Sequence, residues 1–420
     1  MLNNILHTFG IRLITAGISF GVLFLNANFL GAQGLGTVGL IVLNVTLIGI
    51  LSNLIHGGLI YFSSRKNRGN LLLIAYLWTL ISLALYVLVN QIYPLIDPQY
   101  LLHTLLLGGI QASASIHHYF LLGKEKIKRF NLISLLQSLG LIGSLLWSFY
   151  GRNYIKVDAF IQALYLSYTI SYLLALASSA NFIEKPILFK LKEDFKDCLN
   201  YGFFAQAANT FQLLNYRISY FFLDSLSGRA ALGQYTAGVQ LSEALLLIGR
   251  SISTVQYARI SRRKQEAYAK RLSLLLMKVS YLLTTLGLIV LLVIPTDWFV
   301  YLLGKDFVLL KQILAGLSIG IIALSAEVIL SHYFSGTGRV KTNATSAALG
   351  LVVTLISCYI LIPVYGVIGA ALSSSASYVA MFIFLYVRMN RRNAKKLSLL
   401  LPTQSEVQLL NRIARKFISK

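Results

Sequence analysis

The sequence predicts an all-α membrane protein of about 12 transmembrane helices in two pseudo-symmetric six-helix bundles around a central cavity. The prediction rests on the apolar composition, a series of membrane-length apolar segments and a repeat that relates the two halves. Of the 420 residues, 56% are hydrophobic and only 12% are charged, and the mean hydropathy is +0.70. Soluble domains carry about 25% charged residues. A chain this apolar cannot cover a water-exposed surface, so most of its surface must face lipid.

Twelve segments have the length and apolar character needed to span hydrocarbon, which takes about 20 residues in a helix. We number them as spans 1 to 12, and they cover residues 9–30, 37–62, 71–93, 101–122, 131–150, 157–180, 200–223, 231–258, 272–296, 309–335, 344–364 and 367–388. Turns rich in Gly or Pro separate them, such as GAQGLG at 31–36, YPLIDPQ at 93–99 and IPVYG at 362–366.

The net charge of +23 is distributed unevenly along this series of spans. Of the 37 Lys and Arg residues, 28 lie in the even-to-odd connections and after span 12, and four lie in the opposite connections: Arg152, Lys156, Arg229 and Lys305. Connections rich in Lys and Arg stay in the cytoplasm, so both termini are predicted to be cytoplasmic. A nucleic-acid-binding role would need a basic folded soluble domain, and no segment is long enough to form one.

The second half of the chain repeats short motifs of the first half in the same order. FLGAQGLGTVG (29–39) is matched by FLDSLSGRAALGQYTAG (222–238), and YFLLGKEKIKRFN (119–131) is matched by YFSGTGRVKTN (333–343). FYG (149–151) and VYG (364–366) form a third pair. The matches lie about six spans apart, which predicts parallel repeats with a substrate site between them.

This repeat predicts four regions. Residues 1–184 form an N-terminal six-helix bundle, 185–199 a cytoplasmic linker, 200–388 a C-terminal six-helix bundle and 389–420 a basic cytoplasmic tail. The linker mixes charged residues with Ile187, Leu188 and Phe189, a pattern typical of an interfacial helix. A solvated linker is the alternative.

Polar residues recur on one face of spans 1, 4, 7 and 8, where an ionisable side chain is expensive unless it faces a cavity or a partner. Span 4 aligns Gln111, Ser115 and His118. The candidate cavity-lining residues are Arg12 and Asn26 in span 1, Gln206, Asn209, Arg217, Tyr220 and Asp224 in span 7, and Gln240, Glu243 and Arg250 in span 8. Arg217 and Arg250 are predicted to lie deepest in the membrane. Arg12, Lys278 and Lys311 lie near enough to span ends that their ammonium or guanidinium groups are expected to reach the interface.

No group of residues has the spacing of a catalytic, metal or cofactor site. The Gly-rich turn at 31–36 lacks the Lys-Ser/Thr of a phosphate loop, and the six His and 14 acidic residues form no metal-spaced cluster. The two cysteines, Cys198 and Cys358, show no disulfide or metal spacing. We therefore expect neither an enzyme nor a cofactor-dependent protein.

Several segments resemble bacterial polysaccharide flippases of the Wzx type, within the multidrug/oligosaccharidyl-lipid/polysaccharide exporter superfamily. RLITAGISFGVLFLNANFLGAQGLGTVGL (12–40) resembles the opening of that family, and ALGQYTAGVQLSEALLLIG (231–249) resembles its eighth helix. GTGRVKTN (336–343) and PVYGVIGAALSSSASY (363–378) resemble its helices 10 to 12. Span 1 departs from two related groups. It lacks the arginine-rich first helix of peptidoglycan-precursor flippases and the acidic residue of cation-coupled exporters.

The resemblance implies alternating-access transport of an undecaprenyl-diphosphate-linked oligosaccharide from the inner to the outer leaflet of the bacterial inner membrane. The product would enter O-antigen, capsule or another surface polysaccharide. It also implies that Arg217 and Arg250 meet the diphosphate or acidic sugars. Candidate partners are membrane lipid, a polysaccharide polymerase and glycosyltransferases, with no nucleic acid, and the protein is expected to be a monomer.

Two other classes of function stay open on the sequence. The first is a cation-coupled small-molecule exporter of the same fold, with Glu243 or Asp224 as the coupling acid. The second is a membrane enzyme such as a glycosyl polymerase or ligase, which would need long outward loops carrying acidic or His catalysts. The outward connections here are short, so the enzyme is the weaker of the two.

The charge distribution makes a testable prediction about orientation. Single cysteines placed at position 97 or 226 should react with a membrane-impermeant thiol reagent added from outside. Cysteines at positions 126 and 264 should be protected, because the connections 123–130 and 259–271 are predicted to be cytoplasmic. Labelling of position 126 from outside would reverse the proposed orientation.

Overall fold

The computed structural model describes the backbone of residues 2–63, 65–124, 126–262 and 265–390, and within these ranges the chain is helical and contains no strand. Side chains are described except at 2–9, 12, 201–209, 248, 254, 255, 258, 259, 261, 262 and 340. The α-helices are α1 (Leu2–Phe62), α2 (Arg68–Ile92), α3 (Pro98–Gly123), α4 (Ile127–Leu146), α5 (Val157–Ser179), α6 (Leu191–Arg262), α7 (Glu266–Val293), α8 (Thr296–Leu303), α9 (Leu310–Gly336) and α10 (Val340–Met389). Almost all of the predicted tail, from residue 391 onwards, falls outside these ranges.

Three of the helices, with 61, 72 and 50 residues, are more than twice as long as the roughly 20 residues needed to span hydrocarbon, and each is interrupted at one glycine. Gly31 in α1, Gly228 in α6 and Gly366 in α10 have φ values of 66°, 83° and 52°. These values lie in the left-handed region, which glycine enters without a Cβ clash. If each of these helices is divided at its glycine and the short α8 is set aside, the described residues form twelve long helical segments. They follow the order of the twelve predicted spans, and the predicted all-α fold class is confirmed.

By length and composition, seven helices in the described part of the chain are able to cross a membrane. They are Leu13–Phe62, Arg68–Ile92, Ile127–Gly151, Val157–Phe182, Glu266–Val293, Leu310–Gly336 and Lys341–Met389. Large apolar side chains along them are exposed, for example Leu80 (63%) and Ile319 (71%). A soluble protein rarely exposes such an apolar surface over its whole length. The chain is therefore a multi-pass membrane protein.

The helices divide into two compact units. Unit 1 comprises Met1–Leu213, Tyr220–Ala237 and Asp297–Val308. Its apolar core contains one cluster in which Ile41 of α1, Leu107 of α3 and Phe160 of α5 are buried. A second cluster joins Ile55 of α1 and Leu71 of α2 to further apolar residues of α3 and α6. Helices α1 to α5 thus pack mainly on one another.

Unit 2 comprises Leu214–Ser219, Gly238–Thr296 and Leu309–Lys420. Its core is formed where α7, α9 and α10 meet the end of α6, with Ile260, Met277, Ile329 and Leu385 fully or almost fully buried. The four predicted regions were drawn along the chain, whereas these units group residues by contact. The predicted region boundaries stay a prediction.

The break in α1 is stabilised by a residue far away in the chain. The Asp306 carboxylate (Oδ2) accepts a hydrogen bond from the backbone N–H of Ala32 at 3.0 Å. Ala32 begins the second segment of α1, whose first N–H groups lack partners within the helix. An aspartate at this position caps the segment, and its negative charge interacts favourably with the positive end of the helix dipole. The cap lies in unit 1 and depends on the short turn that follows α8.

The second segments of α1 and α6 approach each other closely at two glycines in unit 1. A Cβ atom at Gly36 would overlap the carbonyl oxygen of Arg229, and a Cβ atom at Gly233 would overlap that of Ala32. Small residues allow helix backbones to approach closely in membranes, where dispersion contacts and weak polar contacts replace the hydrophobic effect. Glycine at both positions is therefore required by the distance between the two helices.

We expect Gly233→Ala to destabilise the protein by about 1–3 kcal/mol, because the added methyl group can be accommodated only by a backbone shift. The measurement is thermal unfolding of the purified protein in detergent. The matched control is Gly49→Ala, also in the second segment of α1, where an added Cβ would have no neighbour within 4 Å. That variant should be neutral or slightly more stable, since Ala favours a helix over Gly. Equal melting temperatures for both variants would contradict the proposed close contact.

Candidate functional site

The structure brings together two of the predicted charged residues, Arg217 and Glu243. The guanidinium Nη2 of Arg217 lies 3.1 Å from the carboxylate Oε2 of Glu243. The residues are 26 positions apart in the two segments of α6, and both belong to unit 2. Their side chains are 29% and 23% exposed, so the pair is half-buried and accessible. A buried charge is stabilised by an opposite charge at hydrogen-bonding distance, which lowers the cost of placing both inside a membrane protein.

No local pattern in the sequence predicts this pair. Arg250, the nearest arginine to Glu243 along the chain, lies two helical turns away on the same span and is too distant for a direct contact within the helix. The actual partner lies in the preceding segment, on the other side of the glycine break at Gly228. Only the folding of α6 at that break brings the two side chains together.

Arg250 and Gln240 lie on the same segment of α6 as Glu243. Arg250 is exposed, and its carbonyl oxygen accepts a hydrogen bond from the Ser253 hydroxyl at 2.9 Å. Gln240 is half-buried. With Glu243, they place one cation, one amide and one carboxylate along about three turns of a helix in unit 2.

Asp224 belongs to a different ion pair, in unit 1. The Arg229 guanidinium contacts Asp224 through Nε and Asp97 through Nη1, the latter at 3.2 Å. Asp224 and Arg229 flank the break at Gly228, and Asp97 precedes α3. One arginine thus neutralises two carboxylates where three helical segments begin or end. Arg229 was counted only as a loop cation in the sequence analysis.

Asn26 and Tyr220 are buried in unit 1. Asn26 is 1% exposed, and its Oδ1 atom accepts no hydrogen bond from the described residues. Tyr220 is 3% exposed and packs edge-to-face on Tyr235, with ring centroids 5.6 Å apart. The side chains of the three other candidates, Arg12, Gln206 and Asn209, lie outside the described residues.

Two ionisable groups in unit 2 are buried, and one of them differs from its sequence-based assignment. Lys278 was expected to reach the interface, but it is 3% exposed, because it lies well inside α7 on the side that packs against other helices. Glu327 in α9 is 2% exposed, and its Oε2 atom has no hydrogen-bond donor among the described residues. An acid within an apolar helix of 27 residues was the available signal.

Asn215, which the sequence analysis overlooked, joins α6 to α10 in unit 2. Its Oδ1 atom accepts hydrogen bonds from the hydroxyls of Thr354 and Ser377, the latter at 2.8 Å, and its Nδ2 contacts the sulfur of Met381. Asn215 is fully buried. Its hydrogen bonds satisfy polar groups that hydrocarbon could not. Among the described residues, no three His, Cys, Asp or Glu side chains group as metal ligands.

Comparison with solved structures identifies the fold. A structure of the lipid II flippase MurJ in an inward closed conformation superposes with a TM-score of 0.76, at 16% identity, over 99% of this chain and 93% of that one. An inward-facing multidrug resistance MATE transporter of the MOP superfamily gives 0.70 at 15% identity, over 94% and 99%. A MOP superfamily transporter from Pyrococcus furiosus, described as having a binding pocket of reverse polarity, gives 0.60 at 15% identity, over 95% and 96%.

Sequence comparison is more specific about the family. No curated protein matches the chain significantly. The family described as "Lipid II flippase MurJ" matches residues 126–410, which is more than half of the chain. The Wzx-type family resembled by the sequence motifs lies in the same superfamily as this match. On this match and on the two-lobed helical fold of the solved structures, the chain belongs to the MurJ family of the MOP transporter superfamily.

Proposed function

We propose that this protein flips a polyprenyl-diphosphate-linked oligosaccharide from the inner to the outer leaflet of the bacterial inner membrane by alternating access. The proposed substrate is an undecaprenyl-diphosphate repeat unit destined for a surface polysaccharide such as O-antigen or capsule. Both termini lie in the cytoplasm in this proposal. The candidate partners are a polysaccharide polymerase and glycosyltransferases.

The observation that carries the proposal is the ion pair between Arg217 and Glu243. A diphosphate must cross about 30 Å of hydrocarbon, and an isolated ion there is very costly. Arginine keeps its charge in a poor solvent, and its planar guanidinium can donate two parallel hydrogen bonds to a phosphate group. In the proposed mechanism Glu243 holds Arg217 until a diphosphate takes the place of the carboxylate. The partial exposure of both side chains allows that exchange.

The family match supports a lipid-linked substrate, since the family is named for lipid II flipping. The first 125 residues lie outside the match, and Arg12 is the only charged residue within the first predicted span. The sequence thus departs from the arginine-rich first helix of peptidoglycan-precursor flippases in the region where the family match is missing. This departure favours a surface-polysaccharide unit over the peptidoglycan precursor.

The second candidate is a cation-coupled small-molecule exporter, which is supported by the similarity of fold to MATE transporters. Such coupling needs an acid that can exchange a cation. The two candidate acids, Glu243 and Asp224, are both bound by arginines, Arg217 and Arg229. An arginine in that position competes with a coupling ion, so the exporter has less support than the flippase.

We expect Arg217→Ala and Arg250→Ala each to reduce flipping by more than about tenfold, because a charge-assisted hydrogen bond contributes about 1.5–3 kcal/mol. Arg→Lys should restore part of the activity, since the charge stays and the bidentate geometry is lost. The measurements are surface glycan display in cells and flipping of a fluorescent polyprenyl-diphosphate saccharide in proteoliposomes. Arg271→Ala, at an exposed position of α7, is the control and should be fully active. Wild-type flipping by both Arg→Ala variants at normal expression would refute the cationic mechanism.

Glu243→Gln should tighten the binding of the diphosphate-linked saccharide by roughly fivefold. In the wild type the diphosphate must first displace Glu243 from Arg217, and breaking such an accessible ion pair costs about 1 kcal/mol. The variant removes that cost. The measurement is the equilibrium affinity of the purified protein for a fluorescent polyprenyl-diphosphate saccharide. The exporter hypothesis predicts another result for this variant, namely unchanged saccharide binding with loss of cation-driven drug efflux.

A further inference from the structure

A polar cavity of about 660 Å³ lies in unit 1 and has no residue in common with the proposed transport site. It is formed by the connection between α1 and α2, the end of α3, the connection that follows α5, and the first turns of α6. Five cationic side chains line it: Arg65, Lys66, Arg68, Lys124 and Lys190. Four carboxylates also line it. We call it the basic cavity. In the orientation predicted from the Lys and Arg distribution, it opens on the cytoplasmic side.

Ion pairs within the basic cavity build its wall. The Lys66 ammonium lies 2.8 Å from Asp194 Oδ1 and 2.5 Å from Asp197 Oδ2, and the Arg68 guanidinium lies 2.5 Å from Glu184. Burial disfavours the charged form of Lys66, but hydrogen bonds and charges from Asp194 and Asp197 outweigh it and raise the pKa of this ammonium above its ordinary value. Lys66 is thus a fixed, neutralised part of the wall.

Asn70 fastens the connection after α5 to the start of α2. Its Nδ2 donates to the Ile187 carbonyl at 3.0 Å and to Asp194 Oδ2 at 2.8 Å, while its Oδ1 accepts from the Ile187 N–H at 2.6 Å. Asn70 is fully buried, so this junction is shielded from water. The cavity therefore has a preformed frame that does not depend on the occupant.

The remaining cations of the cavity are not neutralised in this way. Lys66 and Arg68 engage three of the four carboxylates, which leaves Arg65, Lys124 and Lys190 with Glu193 alone. In the described part of the chain, no carboxylate lies within ion-pair distance of these three cations. Arg65 is instead stacked on Tyr61, with its guanidinium carbon 3.7 Å from the ring centroid. Three cations that share one cavity with a single free carboxylate favour an anionic ligand with several acceptor oxygens, such as a phosphate.

The connection after α5, which lines the cavity, indicates the source of that phosphate. Ile183, Leu188 and Phe189 are 48%, 69% and 83% exposed, and Lys185 and Lys190 lie in the same connection. Exposed apolar residues next to basic residues, just outside membrane-spanning helices, are typical of a segment that lies in the headgroup region. Anionic lipids of the cytoplasmic leaflet attract such segments. The nearest abundant phosphate is therefore that of a phospholipid.

We propose that the basic cavity binds the phosphate headgroup of an anionic phospholipid from the inner leaflet. Arg65, Lys124 and Lys190 contact the phosphate, and residues 183–189 lie against the acyl chains of the same lipid. The lipid would bridge the connection between α1 and α2 and the connection after α5, and so would stabilise unit 1 at its cytoplasmic end. This site does not include Arg217 or Glu243, so the lipid-binding proposal and the proposed transport function can each fail without the other.

The test uses the purified full-length protein in detergent, titrated with dioleoyl phosphatidylglycerol or with dioleoyl phosphatidylcholine. The melting temperature reports binding, because a ligand that binds only the folded state stabilises it. We expect phosphatidylglycerol to raise the melting temperature at concentrations where phosphatidylcholine does not. The Lys124→Ala/Lys190→Ala variant keeps the ion pairs of Lys66 and Arg68, and its affinity for phosphatidylglycerol should fall by about tenfold or more.

The matched control is Lys270→Ala/Lys341→Ala, which removes the same charge from two other predicted cytoplasmic positions and should bind phosphatidylglycerol as the wild type does. The charge-preserving variant Lys124→Arg/Lys190→Arg should retain binding. The neutral variant Lys124→Gln/Lys190→Gln, which keeps polar side chains at both positions, should lose affinity as the alanine variant does, and it tests the site if the alanine variant unfolds. Equal stabilisation by both lipids, or equal loss of affinity in the cavity and control variants, would overturn the proposal. A third titration uses inorganic phosphate. Stabilisation by millimolar phosphate without any preference for phosphatidylglycerol would assign the site to a soluble anion instead of a lipid.

Discussion

Hydrocarbon offers no hydrogen-bonding partner to the backbone, so each N–H and C=O group within the membrane must be satisfied inside the protein. This constraint accounts for the helical structure of the described residues and for the way the long helices are interrupted. At Gly31 the chain leaves the helical conformation for one residue, and Asp306 supplies an acceptor to the next N–H. The breaks at Gly228 and Gly366 likewise occupy one residue each. At each of the three breaks the residue has a positive φ, a conformation that glycine adopts at low cost.

Hydrocarbon also makes an unpaired charged side chain costly. Arg217 is paired with Glu243, and Arg229 is paired with Asp224 and Asp97. The two arrangements suit different roles. Arg229 is held between two carboxylates where helical segments end, which is suited to fixing those ends. Arg217 and its partner Glu243 are both partly exposed, and in the proposed mechanism an anionic substrate takes the place of that carboxylate.

The cations of the basic cavity form a third arrangement. The distribution of Lys and Arg is a sufficient reason for many of them, because it sets the orientation of the helices. Orientation alone does not explain how these cations are grouped. Lys66 and Arg68 are paired with carboxylates of the connection after α5 and the start of α6. Arg65, Lys124 and Lys190 line the same cavity with few counter-charges. The grouping of these residues is a property of the folded chain, and it supports a ligand at a position that topology alone would leave to solvent.

The sequence by itself determined the fold class and the order of the helical segments, because hydropathy, helical period and turn residues are local properties of the chain. It also indicated the superfamily and selected Arg217 and Glu243 as candidates, since charged residues are rare in apolar segments. Only the tertiary structure decided which charges meet. Glu243 pairs with Arg217 and not Arg250, Lys278 is buried, and Asn215 joins α6 to α10. These contacts depend on which helix faces come together across breaks and connections, and no local pattern contains that information.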